Sequence, residues 1–382
     1  MKYLISGGLG FIGSELSRQL LKQTDCEMVY CVDDNSKGYG TANIADFMTD
    51  ERFEWINIDL SKPTEDDLWL LKEVVEDVDF VIGCASKIGG IGYFNKIPAT
   101  ILRDNNLITT TLLDLIVDLP KEKRPTYVAL SSSMVFESAT EFPSKESDVD
   151  TIKVPITSYG FSKMSHEWYC KAYAQQYGLD YIIVRPFNAI GPEKPDPNFV
   201  GFSHVIPDLI CKIKAGQGTE DNPLEILGDG TQVRHYTDVR EIADGIIQLM
   251  NHHFNHSGDF ALVGRSFNIS IGKGHTVKEI AEIIWINMSR GLTIKPLYIK
   301  NVAGFSHDVK FRSPDISKMK NFLGWEAKNT FEMIAPDVIQ SVLKLIEPKK
   351  EIWRFCGTNM EEGRELRFRQ GITQIPGLPP RF

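Results

Sequence analysis

No stretch of this 382-residue chain strings together the roughly 20 apolar residues that a membrane-spanning helix needs. The first apolar run begins at Lys2, which leaves no room for a signal peptide. Positive charge is also scarce: 42 Lys and Arg against 51 Asp and Glu give a formal net charge of −9. That balance argues against a nucleic-acid-binding surface while leaving room for a local basic pocket. The six cysteines (Cys26, Cys31, Cys84, Cys170, Cys211, Cys356) form no CxxC pair and lie mostly in apolar surroundings. Reduced, buried thiols in a cytoplasmic protein are expected. His204, His235, His275 and His307 have no metal-ligand spacing, so each reads as a loop hydrogen-bonder and no metal is expected. Internal repeats are absent.

What remains is an ordinary globular composition, 42% hydrophobic and 24% charged, long enough for one large α/β unit or two lobes. Buried parallel strands are predicted at Tyr3–Ile5, Met28–Val32, Phe53–Ile56, Phe80–Ile82, Tyr127–Leu130 and Tyr181–Val184. Amphipathic segments near 12–22, 64–77, 100–118 and 160–177 lie between them. Such alternation predicts a Rossmann-type doubly wound parallel sheet. After Arg185-Pro186 the chain turns to Gly- and Pro-rich loops with shorter helices near 203–214, 276–288 and 330–346. The expected organisation is a dinucleotide-binding domain over 1–186, rejoined by segments near 232–265. A smaller mixed α/β lobe spans 187–346 and an extension 347–382. The extension, with Trp353, Phe355, Phe368 and Phe382, reads equally as a clasp on the body or a second subunit and as a surface strap or frayed end.

Strand one ends in Ser6-Gly7-Gly8-Leu9-Gly10-Phe11-Ile12-Gly13 and enters a helix at once. Gly7, Gly10 and Gly13 allow a tight turn, close backbone approach and close helix–strand packing, so a pyrophosphate can sit on the helix N-terminus. Asp33 follows about 20 residues on, at the end of strand two. A carboxylate there accepts from ribose hydroxyls and repels a 2′-phosphate, which favours NAD over NADP. Asp59 ends the third strand and is placed either for the adenine edge or as a turn carboxylate. Phe11, Ile12, Asn35, Leu60 and Ala85 complete the expected cofactor contacts.

The chemistry reads from Ser131-Ser132-Ser133-Met134 and Tyr159-Gly160-Phe161-Ser162-Lys163. Tyr159 and Lys163 stand one helical turn apart on one face. A phenol has a pKa near 10; an adjacent ammonium and a cationic nicotinamide bring it down toward use as a base. Tyr159 then takes a hydroxyl proton as hydride leaves the same carbon, and Ser132 holds the oxygen.

These motifs together resemble an extended short-chain dehydrogenase/reductase of the nucleotide-sugar epimerase/dehydratase family, over about residues 1 to 345. Gly7 to Gly13 resembles the family's glycine loop and Tyr159/Lys163 its catalytic pair. Arg185-Pro186-Phe187-Asn188-Ala189-Ile190-Gly191-Pro192 is similar to its Arg-x-x-Asn-x-x-Gly-Pro turn, and Gly228 to Val239 to its substrate-lobe loop. The resemblance implies NAD, a nucleotide-diphosphate sugar, and a homodimer formed by the helices near 100–118 and 160–177. It also implies contacts from Asn188, Arg234 and Arg312 to the nucleotide diphosphate or its ribose, in keeping with bidentate Arg–phosphate binding. For Arg312 a surface salt bridge is an equal alternative.

Relatives share oxidation at C4 and diverge afterwards. Similar dehydratases carry an Asp-Glu pair after the catalytic Ser or Thr, similar 3,5-epimerases a Cys, and similar decarboxylases a Glu; this chain has Ser133 and Met134. A thioether moves no proton, which leaves a 4-epimerase needing only Ser132, Tyr159 and Lys163. The loop Ala85-Ser86-Lys87-Ile88-Gly89-Gly90-Ile91-Gly92 and the segment Ser203-His204-Val205-Ile206-Pro207 pull the other way, resembling GDP-mannose 3,5-epimerases and GDP-fucose synthases. Lys87, Gly89, Gly90 and Ser133 are expected to face the substrate. Glu193, Lys194, Lys87 and His204 are the proton carriers available for chemistry next to the keto carbon, although a solvated loop explains Glu193 and Lys194 equally. A sugar 4-dehydrogenase or keto-reductase, a 4,6-dehydratase and a non-catalytic NAD-binding scaffold remain the alternatives; the last fits poorly with a chain that keeps both Tyr159 and Lys163.

Overall fold

Seven short apolar runs pair side by side in one parallel sheet: β1 (Lys2–Ser6), β2 (Met28–Val32), β3 (Phe53–Ile56), β4 (Phe80–Gly83), β5 (Thr126–Leu130), β6 (Tyr181–Pro186) and β7 (Arg265–Ile269). Their order is β7-β6-β5-β4-β1-β2-β3. The structure, a computed structural model, describes residues 1–36, 40–89, 96–192, 205–256, 264–289, 295–304 and 309–346. The expected positions Gly90, Glu193, Lys194, His204 and His307, and the 347–382 extension, lie outside these residues.

Successive strand residues point to opposite faces, so each strand feeds two cores. Ile5, Val29, Cys31 and Ile82 enter one, with Leu16 and Leu20 of α1 (Phe11–Leu20). Leu4, Val32 and Val81 enter the other. There they meet Leu71 and Val75 of α2 (Glu65–Asp77), Leu112 and Ile116 of α3 (Pro98–Val117) and Cys170 of α4 (Ser158–Tyr177). Full burial of a Leu or Ile contributes roughly 1.5–3 kcal/mol, so packing on the sheet, more than helix propensity, holds these helices.

The smaller lobe begins with α5 (Val205–Lys214). The chain then returns to the sheet through α6 (Val239–Asn255), whose Ile242, Ile246 and Met250 share the first core, and through β7. Sequence reading names no helix over α6 and no strand at Phe267. Back in the lobe, α7 (Val277–Met288) and α9 (Phe331–Ile346) join α5 around Ile210, Leu224, Ile280, Ile284, Ile334 and Val338. The short α8 (Ser317–Leu323) lies between them in sequence and packs on β7. Val233–Arg234 pairs antiparallel with His275–Thr276 and parallel with Phe311–Arg312.

Strand order reverses between β1 and β4. A crevice opens at the carboxyl ends of strands at such a switch point, and many of the residues singled out in the sequence line it. Among the described residues no helix is long and apolar enough to cross a membrane.

Candidate active site

A single cavity of about 940 Å³ runs from the ends of β1, β2 and β4 into the smaller lobe. On the sheet side its wall is the turn after β1. Gly7 has φ +69°, and a Cβ there would stand 2.7 Å from the Ala85 backbone beyond β4. A Cβ on Gly13 would stand 2.3 Å from the Gly7 carbonyl. Only glycine fits either place. Gly10 caps α1 without a side chain, so the first-turn N–H groups of the helix face the cavity that Phe11, Ile12 and Gly13 line. That is the donor arrangement a pyrophosphate requires.

Asp33 stands at the end of β2 with its carboxylate oriented by two backbone donors, Leu9 N–H at 3.1 Å and Asn35 N–H at 2.8 Å. These bonds aim the carboxylate along the cavity wall that Asp33 lines. Asn35 takes φ +47° and accepts Gly40 N–H at 3.0 Å. Asp59 receives the Ser61 amide at 2.9 Å and hydroxyl at 2.6 Å. Burial alone would raise its pKa; Ser61 and Lys62 hold it below the usual carboxylate range. Asp59 is thus a turn carboxylate that also lines the cavity, as Leu60 and Ala85 do. This donor and acceptor set fits an NAD molecule along the ends of β1 and β2.

Farther in, Ser132, Tyr159 and Lys163 converge although two belong to a helix and one to a strand end. Ser132 caps a 3-10 turn over Ser133–Phe136, accepting the Met134 amide at 3.2 Å, and hydrogen-bonds the Tyr159 phenol. Burial pushes that phenol's pKa up, while Ser132 and the charge of Arg312 pull it down. Lys163 donates to the Leu130 carbonyl at 2.8 Å, with its ammonium 5.9 Å from the Tyr159 ring centre. Burial brings its pKa down to about 8. The downward pull on Tyr159 therefore comes from Ser132 and Arg312, whereas the sequence points to Lys163 as its source. Met134 packs against Tyr159 and Ile101, and its thioether offers this wall no proton.

The remaining expected residues occupy the same cavity. Lys87 pairs with the buried Asp104 at 3.1 Å, and its backbone is pinned by Asn105 at 2.7 Å. Gly89, Ser133 and Asn188 line the wall, Asn188 with φ +33° and its amide on the His235 carbonyl at 3.2 Å. Arg234 and Arg312 are register partners on neighbouring strands, and both line the cavity. Two guanidiniums in register on one cavity wall form a fork that suits a phosphate group. His235 is a loop hydrogen-bonder, on the Ile271 carbonyl at 3.0 Å, whereas His275, read as a loop residue, stands in the short strand paired with Val233–Arg234 and bonds Glu332 at 3.1 Å.

Two groups in the site lie beyond the sequence reading. Glu137 is buried on the cavity wall and accepts both the Thr157 amide at 2.9 Å and its hydroxyl at 3.0 Å. Glu167 is buried beneath the Ser131–Ser133 turn, taking Ser131 Oγ at 2.5 Å and two Arg185 nitrogens at 2.8 and 2.7 Å. An acid closing the apolar Val135-Phe136 step is the only sequence signal for Glu137, and Glu167 had one in its spacing from Lys163.

Residues 3–269 match the profile of the NAD dependent epimerase/dehydratase family. The chain belongs to that family. The cofactor of this NAD dependent epimerase/dehydratase is NAD. Among its relatives is UDP-glucuronic acid decarboxylase 3 of Arabidopsis thaliana, 30% identical over 332 residues, covering 86% of this chain and 85% of the relative. GDP-L-fucose synthase of Escherichia coli (strain K12) is 25% identical over 287 residues, 74% of this chain and 80% of that one. The fold matches UDP-glucuronic acid 4-epimerase from Bacillus cereus, solved with UDP-glucuronic acid and NAD, with TM-score 0.74 and 23% identity over 90% of this chain and 100% of that structure. Members of this epimerase/dehydratase family thus differ in reaction while sharing the architecture seen here.

Proposed function

We propose that this chain is a nucleotide-sugar epimerase that inverts C4 of a UDP- or GDP-hexose through a transient 4-keto sugar. The observation that carries the reading is the convergence of Ser132, Tyr159 and Lys163 beside Met134, which supplies no acid, base or thiol. NAD supplies the hydride acceptor for the first half of the reaction and the hydride donor for the second. Tyr159 takes the C4 hydroxyl proton as the C4–H bond breaks and returns it when that bond re-forms on the other face. Ser132 hydrogen-bonds the C4 oxygen throughout, the Ser132 bond and the Arg312 charge favour the phenolate against burial, and Lys163 stays anchored on the Leu130 carbonyl beside the ring. Arg234, Arg312 and Asn188 hold the diphosphate and ribose; Lys87, Gly89 and Ser133 face the sugar. Net redox change is zero, so the cofactor is recycled within each turnover.

We place the enzyme in the cytoplasm as a homodimer. Five free cysteines among the described residues support the first, and the exposed Leu107 on α3 with Phe161, Trp168 and Tyr177 on α4 supports the second.

Incubation of the NAD-loaded protein with UDP- and GDP-hexoses in deuterated water tests the reaction. The expected product is the C4 epimer with no solvent deuterium. Deuterium at C3 or C5, loss of water or carbon dioxide, or accumulating NADH would each replace this reading with a different reaction. In the same assay Tyr159→Phe should lose turnover by roughly 10²–10⁴-fold while keeping its NAD affinity; an active variant refutes the assigned base.

A further inference from the structure

The lobe side of the cavity holds a charged pair that the epimerase chemistry does not use. Asp208 and Lys212 stand one turn apart on α5, both lining the cavity and both mostly buried. Lys212 Nζ lies 2.8 Å from Asp208 Oδ2 and donates to the Glu225 carbonyl at 3.1 Å. Those two contacts fix the ammonium in place and leave one of its three N–H donors. Asp208 Oδ1 takes no hydrogen bond among the described residues. The wall of this cavity, which Leu227 and Val277 also line, therefore presents here one cationic donor beside one carboxylate acceptor.

With the cofactor on the sheet side, the sugar at Tyr159 and the diphosphate at Arg234 and Arg312, this end is what remains for the nucleobase. We propose that Asp208 and Lys212 read that base and select guanine, so that the substrate is a GDP-sugar; the inference rests on the nucleotide-sugar reading above. A donor next to an acceptor matches a keto oxygen next to a ring N–H. Guanine presents O6 and N1–H in that order, and uracil presents O4 and N3–H. Adenine and cytosine present the reverse, an exocyclic amino group next to a ring acceptor, and meet Lys212 with a donor and Asp208 with a lone pair.

The neighbouring atom separates the two that fit. Beyond N1–H, guanine carries the 2-amino group, a second donor for a carboxylate that can accept from both. Beyond N3–H, uracil carries the O2 carbonyl, whose lone pairs face the Asp208 charge. One base gains a bond and the other gains a repulsion, the combination that gives specificity. A well-formed bidentate pair discriminates by about 1–3 kcal/mol, which corresponds to roughly 10- to 100-fold in affinity.

Titration calorimetry of the NAD-loaded full chain with GDP, UDP, ADP and CDP tests this without requiring turnover. GDP should bind at least about 10-fold more tightly than UDP, with ADP and CDP weakest. Asp208→Asn, which keeps the shape and removes the charge, should weaken GDP about 10-fold and bring the GDP/UDP ratio near one. Retained NAD affinity shows that this variant is folded. A wild-type protein that binds UDP as tightly as GDP overturns the assignment, as does an unchanged ratio in Asp208→Asn. If none of the four nucleotides binds, the nucleotide-sugar reading itself falls and this inference with it.

Discussion

Lys163 is a cation placed where water does not reach, and its titration is the most direct residue-scale test of the site. Its side chain is buried and its pKa is brought down to about 8, whereas the unfolded chain keeps that proton to about 10.4. Between those values the unfolded state binds one proton more than the folded state, so stability rises with pH across the window. Below pH 8 both states are protonated and the folded one bears the full cost of a buried charge. Tyr159 acts in the opposite direction, because its raised pKa keeps the folded state protonated, but only from about pH 10 upward. Urea unfolding of the cofactor-free protein from pH 7 to 9.5 therefore isolates the lysine. Wild type should gain about 2 kcal/mol on Lys163→Met over that range. A difference that stays flat, or that grows in favour of the variant, contradicts the burial of a titrating Lys163. Tyr159 and Lys163 were legible because their relation is four residues along one helix. Asp208 and Lys212 have that same spacing, yet nothing local marks them as cavity residues, since their meaning depends on where α5 meets Glu225.

At the scale of elements, placing α4 places Tyr159. Thr157 caps the helix by accepting the Gly160 amide at 3.1 Å, and Gly178 closes its far end at φ +70° with its amide on Ala174. Glu137 in turn clamps Thr157 through two bonds, with its carboxylate close against Gly160, where an added Cβ would stand 3.0 Å from Oε2. Glu137→Ala leaves the Thr157 amide and hydroxyl without that acceptor, at a cost of about 1–3 kcal/mol. Because the loss falls on the turn carrying Tyr159, kcat should drop several-fold with KM little changed. Glu137→Gln keeps an acceptor oxygen and should recover most of both stability and rate. Equal damage in the two variants would show that charge rather than the clamp matters. The cap on α4 was readable as Thr157 before the helix, but its anchor lies 20 residues away in sequence. For α6 the apolar spacing Val239, Ile242, Ala243, Ile246, Met250 was present in the chain. Gly245 within it and the Gly228–Gly230 turn ahead of it weakened the helical signal, and tertiary packing on α1 overrides both.

Across the whole molecule, the sheet, the helix that carries Tyr159 and the loops leading to the lobe meet at one buried guanidinium. Arg185 on β6 is only 2% exposed, binds Glu167 of α4 through two nitrogens and donates to the Glu146 carbonyl at 2.8 Å. Burial raises the pKa of the Glu146 carboxyl, which accepts the Asn268 amide of β7 at 2.9 Å. Asn268 reaches on to the Ser144 and Asp315 carbonyls at 3.0 and 3.1 Å. Arg185-Pro186 was visible as the start of a motif, but its partners come from three other segments and have no signature of their own. A buried ion pair has a desolvation cost close to its Coulombic gain, so its removal as a unit and its disruption by halves have different consequences. Arg185→Met leaves Glu167 as an uncompensated buried charge and should cost about 3–5 kcal/mol in urea unfolding. Glu167→Leu strands the guanidinium and should cost a similar amount. The double variant leaves neither charge behind and should be more stable than either single one, so the coupling energy should exceed the smaller single loss, about 3 kcal/mol or more. Strictly additive losses would mean that the two side chains act independently. The guanidinium would then be held by the Glu146 carbonyl rather than by Glu167.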